Sequence, residues 1–145
     1  MRVALGADDS PRLVEAIAGF LGSAGHQVTR FGKAAGEAES WGSTARRVAQ
    51  AVAAGDHERG VLCCWTGTGV SIAANKVPGV RAALCVDAET ARGARKWNDA
   101  NVLALSLRLT SEEVAREILQ AFFSEPYGGT EDESLEVLAA LDAGR

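Results

Sequence analysis

Gly60-Val61-Leu62-Cys63-Cys64-Trp65-Thr66-Gly67-Thr68-Gly69-Val70-Ser71-Ile72-Ala73-Ala74-Asn75-Lys76 changes character twice along its length. It opens as an apolar, strand-like run, breaks at a glycine-interrupted turn, and continues as Ala-rich, helix-like sequence. A thiol at the end of a strand is thus followed at once by a turn that can present several backbone N–H groups to an anion or a developing oxyanion. Folding alone requires no such juxtaposition. Strand alternation puts Cys63 and Cys64 on opposite faces, so one of them at most faces the crevice beyond the strand, and Cys64 is nearer the turn. A helix N-terminus favours thiolate, which serves as base or nucleophile. The alternative is that both cysteines are small buried hydrophobes. Gly67 and Gly69 either permit close backbone approach, with the Thr66 and Thr68 hydroxyls beside them, or make an ordinary strand-to-helix turn. No Gly-Lys-Ser/Thr closes a Walker loop, and the third glycine of a dinucleotide fingerprint is missing.

Outward from this stretch, apolar runs alternate with amphipathic ones. Val3–Gly6, His26–Phe31, Val61–Trp65, Arg81–Val86 and Val102–Leu105 read as strands one to five. Helices are expected after Ser10-Pro11, with Ser10 as cap and Pro11 as first helical residue, and over Thr44–Ala54, Ala88–Lys96 and Asp132–Ala143. Another follows the Thr110-Ser111-Glu112-Glu113 capping box, with Val114, Ile118 and Phe122 on one face. Gly32–Gly42 reads as loop. This alternation predicts one α/β domain over 1–145: a Rossmann-like, doubly wound, five-stranded parallel sheet with helices on both faces. The expected strand order is 2-1-3-4-5. It brings Asp8 and Asp9, after strand one, against the loop Cys64–Gly69 after strand three, where ligands bind in such sheets. The two carboxylates suit sugar hydroxyls or a metal, or are turn residues ahead of a helix. Asn98-Asp99-Ala100-Asn101 precedes strand five, at the other end of the sheet. Within one subunit it cannot reach the crevice; its residues are turn-formers or serve a neighbouring subunit's site. His26 and His57 read as solvated, which leaves no histidine as an obvious general base.

Composition narrows the setting. The 145 residues are 47% hydrophobic and carry 19 acidic against 15 basic side chains, a net charge of −4. That balance argues against nucleic acid and anionic membranes as partners. No apolar run approaches the roughly 20 residues of a membrane span. Met1–Gly6 is too short for a signal-peptide core. Cys63, Cys64 and Cys85 are odd in number and lack a Cys-x-x-Cys pair, so neither a disulfide framework nor a structural zinc site is expected, and a cytoplasmic setting is.

Cys64 to Lys76, continued by Val77-Pro78-Gly79-Val80-Arg81-Ala82-Ala83, resembles the ribose-5-phosphate isomerase B family, which includes the galactose-6-phosphate isomerase subunits. Cys64, Thr66, Gly67, Gly69 and the run Ser71–Lys76 match its pattern. Gly6-x-Asp8, Asn98-Asp99-x-Asn101-Val102-Leu103-Ala104-Leu105 followed by Arg108, and Tyr127-Gly128-Gly129 match further blocks. The resemblance implies an aldose–ketose isomerase working through a cis-enediolate without metal or other cofactor. It implies a homodimer or tetramer with active sites shared between subunits and the C-terminal helix packed on a partner. Carried over, Cys64 is the base and Thr66 assists. Backbone amides of Gly67, Thr68, Gly69 and Val70 hold the enediolate oxygen. Asp8, Asp9, Ser71, Trp41, Trp97, Asn98 and Arg108 bind substrate, with Asn98 acting across the interface and Arg108 supplying positive charge at the distal end.

Departures from the pattern bear on the substrate. Asp9 and Trp97 stand where family members carry histidine, the second of these being associated with ring opening. Ser40-Trp41-Gly42 replaces Asp-Tyr-Pro. Thr130-Glu131-Asp132-Glu133-Ser134 replaces the Arg- and His-bearing segment that grips phosphate. Losing a desolvated Arg–phosphate contact costs about 2–5 kcal/mol, and three carboxylates would repel the dianion. Ribose 5-phosphate in the usual pose is therefore not expected. The sequence supports an isomerase of altered specificity, with a non-catalytic sugar-binding or regulatory relative as the alternative.

Overall fold

The computed structural model describes residues 1–9 and 11–144. Strand and helix alternate: β1 (Arg2–Ala7), α1 (Arg12–Ser23), β2 (Gln27–Gly32), α2 (Trp41–Ala53), β3 (Arg59–Cys64), α3 (Thr68–Ala74), β4 (Ala82–Leu84), α4 (Ala88–Asn98), β5 (Val102–Ser106), α5 (Glu112–Ser124) and α6 (Asp132–Ala143), with a 3-10 turn at Lys33–Ala35. All strand pairs are parallel. Val3, Leu5 and Ala7 of β1, Val61 and Cys63 of β3, and Leu103 and Leu105 of β5 pack with α1, α4 and α5 in one apolar layer. Ala4, Leu62, Cys64, Val102 and Ala104 point the other way, onto Val48 and Val52 of α2 and Val70 and Ala74 of α3. The period of two sends Cys63 and Cys64 into opposite layers, as expected. α6 stands apart, with no buried residue. No described helix is long and apolar enough to cross a membrane.

The strand order is β2-β1-β3-β5-β4, not 2-1-3-4-5. All five residues of β5 are buried, whereas the three of β4 are only half-buried. The strand with two apolar faces takes the interior, and the short one, with the least to bury, takes the edge. The loop after β5, rather than the loop after β4, therefore borders the end of β3, where Cys64 is paired with Ser106.

Local differences have local causes. The expected cap Ser10 lies outside the described residues; Pro11 is extended (φ −73°, ψ 172°) and caps α1 instead of opening it. α2 starts at Trp41 because Ser40 Oγ accepts from the Ser43 N–H at 3.1 Å, which draws Trp41 and Gly42 out of the expected loop and into the helix. No capping box forms at Thr110; Ser111 caps α5 alone, its Oγ accepting from the Val114 N–H at 3.2 Å. The histidines are half-buried rather than solvated. His26 lies 4.8 Å from the Phe123 ring and 3.0 Å from the Met1 amine, and His57 meets Phe31 edge-on, its buried Nδ1 without a hydrogen-bond partner among the described residues.

Candidate active site

The carboxyl end of β3 is flanked by Ala7 of β1 and Ser106 of β5. Cys63 is completely buried in the α1/α4/α5 layer, and burial pushes its thiol up to about 12, so it stays protonated and inert. Cys64 is 5% exposed, in the layer shared with α2 and α3, at the last position before the chain turns. Its carbonyl accepts from the Leu107 N–H at 2.9 Å, and the next carbonyl, of Trp65, accepts from the Arg108 N–H and the Ser106 hydroxyl, each at 3.0 Å. Ser106 Oγ in turn accepts from the Leu109 N–H at 3.1 Å. The segments after β3 and β5 are thus joined by three hydrogen bonds, one of them from Ser106, whose hydroxyl also braces its own turn through Leu109. This buried hydroxyl escaped sequence reading; the one signal for it was a polar residue closing an otherwise apolar strand.

Gly67 turns the chain. It is left-handed (φ 78°) and caps α3. A Cβ there would lie 2.6 Å from Leu84 Cδ1 and 2.9 Å from the Leu105 backbone, so glycine is required twice over, by conformation and by space. The first helical bond runs from the Ser71 N–H to the Gly67 carbonyl (3.3 Å). The N–H groups of Thr68, Gly69 and Val70 precede it and have no carbonyl one turn back. Thr66 and Thr68 face one another, hydroxyl oxygens 2.8 Å apart.

Trp41, the first residue of α2, lies over this turn: a Cβ on Gly69 would meet its ring carbons at 3.1–3.3 Å. Glu39 anchors the approach, its Oε2 accepting from Thr44 Oγ1 and Arg47 Nη1, both at 3.0 Å. Arg47 also reaches Glu37 at 3.4 Å and stacks on Phe31. None of this network was read from the sequence, because its members are separated by a segment taken as loop. Asp8 follows β1, with its N–H donating to the Cys63 carbonyl at 3.4 Å. Burial raises its proton affinity, a backbone hydrogen bond partly offsets this, and neighbouring Asp9 adds to it. Asp9 and Arg108 are exposed, the latter beside Trp65. The structure therefore brings together Cys64, Thr66, Gly67, Thr68, Gly69, Val70, Ser71, Trp41, Asp8, Asp9 and Arg108 at the carboxyl end of the sheet.

Trp97 and Asn98 are elsewhere in the chain. They close α4 at the amino end of β5, four residue steps of β3 from Cys64, or about 13 Å at ~3.3 Å per residue. The Trp97 ring folds back on Gly93, where a Cβ would come within 2.8 Å of it, and the Lys96 amine lies 5.8 Å from its centre. α6 faces both residues across a cleft that includes Glu131, Ser134 and Leu138. Among the described residues no cluster of three or more His, Cys, Asp or Glu could hold a metal ion.

Residues 3–138 match the model of the Ribose/Galactose Isomerase family. The chain belongs to that family. D-erythrulose-4-phosphate isomerase of Pectobacterium atrosepticum is 39% identical over 131 residues, covering 89% of this chain and 86% of that protein. Ribose-5-phosphate isomerase B of Escherichia coli is 37% identical over 130 residues, covering 89% and 87%. Ribose-5-phosphate isomerase B of Clostridium thermocellum superposes with a TM-score of 0.93 at 34% identity, covering 99% of each chain. The five-stranded Rossmann-like sheet is the family's own. As a member, the protein is an aldose–ketose isomerase, an intramolecular oxidoreductase. Aldose and ketose are isomers, so hydrogen is moved within one molecule and the balance calls for no external oxidant.

Proposed function

We propose that this isomerase moves a proton between C2 and C1 of a sugar phosphate or related sugar derivative through a cis-enediolate, with Cys64 as the base. As thiolate, Cys64 takes the proton from C2 of the open-chain aldose; the C–H pair becomes the C1=C2 bond and the carbonyl pair moves to O1. Return of the proton to C1, with transfer of the hydroxyl proton from O2 to O1, gives the ketose. The N–H groups of Thr68, Gly69 and Val70 hold the oxyanion, and the Gly67 carbonyl is kept turned away from it by the left-handed conformation. Thr66 assists at the hydroxyls, Asp8, Asp9 and Ser71 bind them, and Trp41 walls the turn. The observation that carries this reading is the nearly closed Cys64 beside a glycine-forced turn whose three leading N–H groups are left without helical partners.

Trp97 and Asn98 complete the site of a neighbouring subunit in this reading, in a dimer or tetramer. Its support is the unburied α6, with Val137, Leu138 and Leu141 exposed, and a groove of about 560 Å3 that runs from α6 to Asn98. Trp97 cannot titrate, which favours a sugar already in open-chain form. A tetrose 4-phosphate is one: its only hydroxyl able to close a five-membered ring is esterified. The Pectobacterium atrosepticum relative is named for such a compound. A four-carbon chain also ends sooner, within the charge of Arg108 and short of the acidic Glu131-Asp132-Glu133 run that disfavours ribose 5-phosphate in the usual pose.

The test is NMR of deuterium uptake from heavy water into tetrose, pentose and hexose phosphates and their unphosphorylated forms, with wild type and Cys64→Ala side by side. Uptake at C1 or C2 of the tetrose 4-phosphates, abolished in Cys64→Ala, is the expected result. Uptake retained in Cys64→Ala would overturn the base assignment. Ribose 5-phosphate as the fastest substrate would overturn the substrate reading, and silence across the panel would point to a binding role.

A further inference from the structure

Asp99 is the one non-glycine residue, among those described, with positive φ (46°, with ψ 42°). It terminates α4, where glycine or asparagine usually takes the left-handed conformation that a Cβ disfavours. Its carboxylate is held from two sides. Oδ1 accepts from Arg95 Nη1 at 3.0 Å, and Oδ2 from Arg81 Nη2 at 3.4 Å; the Asp99 carbonyl also accepts from Arg81 Nε at 2.9 Å. Arg95 is 5% exposed, and it donates as well to the carbonyls of Ala100 and Glu125. Arg59 of β3 faces the same cluster, lowered to about 10 by burial and then by Arg95, with Asp99 acting in the opposite sense. Asn101 locks the far side of the turn, its Oδ1 accepting from the Arg81 N–H at 2.8 Å and its Nδ2 donating to the Gly79 carbonyl at 2.9 Å. Beside all this, the exposed Asn98 carboxamide makes no hydrogen bond to any described residue.

A helix end needs none of this apparatus, since glycine would cap α4 without a buried guanidinium or a disfavoured φ. What the apparatus does secure is the direction in which Trp97 and Asn98 leave the helix. We propose that Asp99 is a positioning residue: clamped between Arg81 and Arg95, it fixes the turn that delivers Trp97 and Asn98 to the neighbouring subunit's Cys64 site. The proposal rests on the reading that the Asn98 turn completes that site. Asp99 touches no substrate; it acts through Asn98.

Three measurements on the intact protein separate the proposal from the reading beneath it. The first is 15N relaxation of the backbone amides of residues 97 and 98 in wild type, Asp99→Gly and Asp99→Asn, which needs no substrate. Asp99→Gly relieves the conformation but removes the carboxylate; Asp99→Asn tolerates the conformation and keeps one acceptor. Order at 97 and 98 should fall below an S² of about 0.6 in Asp99→Gly and less in Asp99→Asn. Unchanged rigidity in both would overturn the clamp. The second is kinetics with D-erythrulose 4-phosphate. A displaced Asn98 should lower kcat/KM about 10- to 100-fold in Asp99→Gly, and Asn98→Ala/Asp99→Gly should lose less than the two single losses combined, because both lesions share Asn98. Additive losses, or full kcat/KM in a variant whose turn has loosened, would overturn positioning. Mixed oligomers of Cys64→Ala and Asn98→Ala chains address the reading itself: recovered turnover means that the turn works across the interface, and full activity of Asn98→Ala alone means that it has no part in the site. Arg81→Gln, which frees one side of Asp99 while Arg95 stays bound, serves if either Asp99 variant fails to fold.

Discussion

Replacing Gly67 with alanine separates two reasons for a glycine that are usually confounded. Its φ of 78° disfavours any Cβ, and the Cβ would also stand 2.6 Å from Leu84 Cδ1, 2.9 Å from the Leu105 carbonyl carbon and 3.0 Å from its oxygen. The leucine side chain can shift, but the backbone of a buried central strand cannot. Gly55 offers the control: its φ is 82° and nothing lies within 4 Å of the added Cβ. Gly55→Ala should therefore lose only the conformational part, about 1–2 kcal/mol. Gly67→Ala adds an overpacking cost of about 1–3 kcal/mol, for a total of about 2–5 kcal/mol. At about 3 °C per kcal/mol for a domain of this size, the two variants should melt about 3–9 °C apart. Thermal unfolding by circular dichroism at one fixed protein concentration measures this directly, the fixed concentration removing any shift from subunit dissociation. Deuterium uptake should be lost in Gly67→Ala, whose leading amides are displaced, and kept in Gly55→Ala. Coincident melting temperatures would refute the steric argument, and full activity in Gly67→Ala would refute the role given to the turn.

Asp8 should be a residue the fold tolerates rather than profits from. Burial raises its folded pKa above the ordinary 3.8. The folded state then holds the proton more tightly than the unfolded one, a contribution that is favourable below 3.8 and lost as pH rises through the folded value. At neutral pH the ionised carboxylate is a penalty, so Asp8→Asn should melt higher than wild type at pH 7, the gap should close by about pH 3, and substrate binding should weaken; a gap that widens on acidification would contradict the sign. Burial also holds Cys63 and Cys85 as thiols, each pushed up to about 12. Cys64 alone of the three keeps some exposure, so prolonged maleimide treatment at pH 8 should label native protein there first and leave native Cys64→Ala unlabelled over the same time, with mass spectrometry after digestion as the check. Rapid native labelling at either of the other two positions would show that their layer is open.

Much of the site was legible because it depends on local rules. Alternation along β3 was enough to part Cys63 from Cys64, and a glycine between Thr66 and Thr68 was enough to mark the turn. The separation of Asn98 from Cys64 followed from its place ahead of a parallel strand. What was misread depends on comparisons between elements. Whether β4 or β5 lies next to β3 turns on which of two apolar strands buries more, and a three-residue β4 was read as six residues. Trp41 was assigned to a loop because Ser40 is an unremarkable residue until its hydroxyl finds the Ser43 N–H. The Glu39–Thr44–Arg47 network and Ser106 were missed altogether, since each joins polar residues whose proximity exists only after the chain has folded.

The place of β5 beside β3 ties two distant parts of the chain to one strand. β5 is a fully buried strand of about 17 Å at ~3.3 Å per residue, too tightly packed to bend. At one tip Ser106 donates to the carbonyl of Trp65, one residue beyond Cys64. At the other tip sits the turn that carries Asn98 and Asp99. A strand so placed is a stiff link between its two ends, so an adjustment along its axis reaches both. Under the shared-site reading, the unit on which selection and inhibitors act is then the pair of crevices, and occupancy of one is information available to the other.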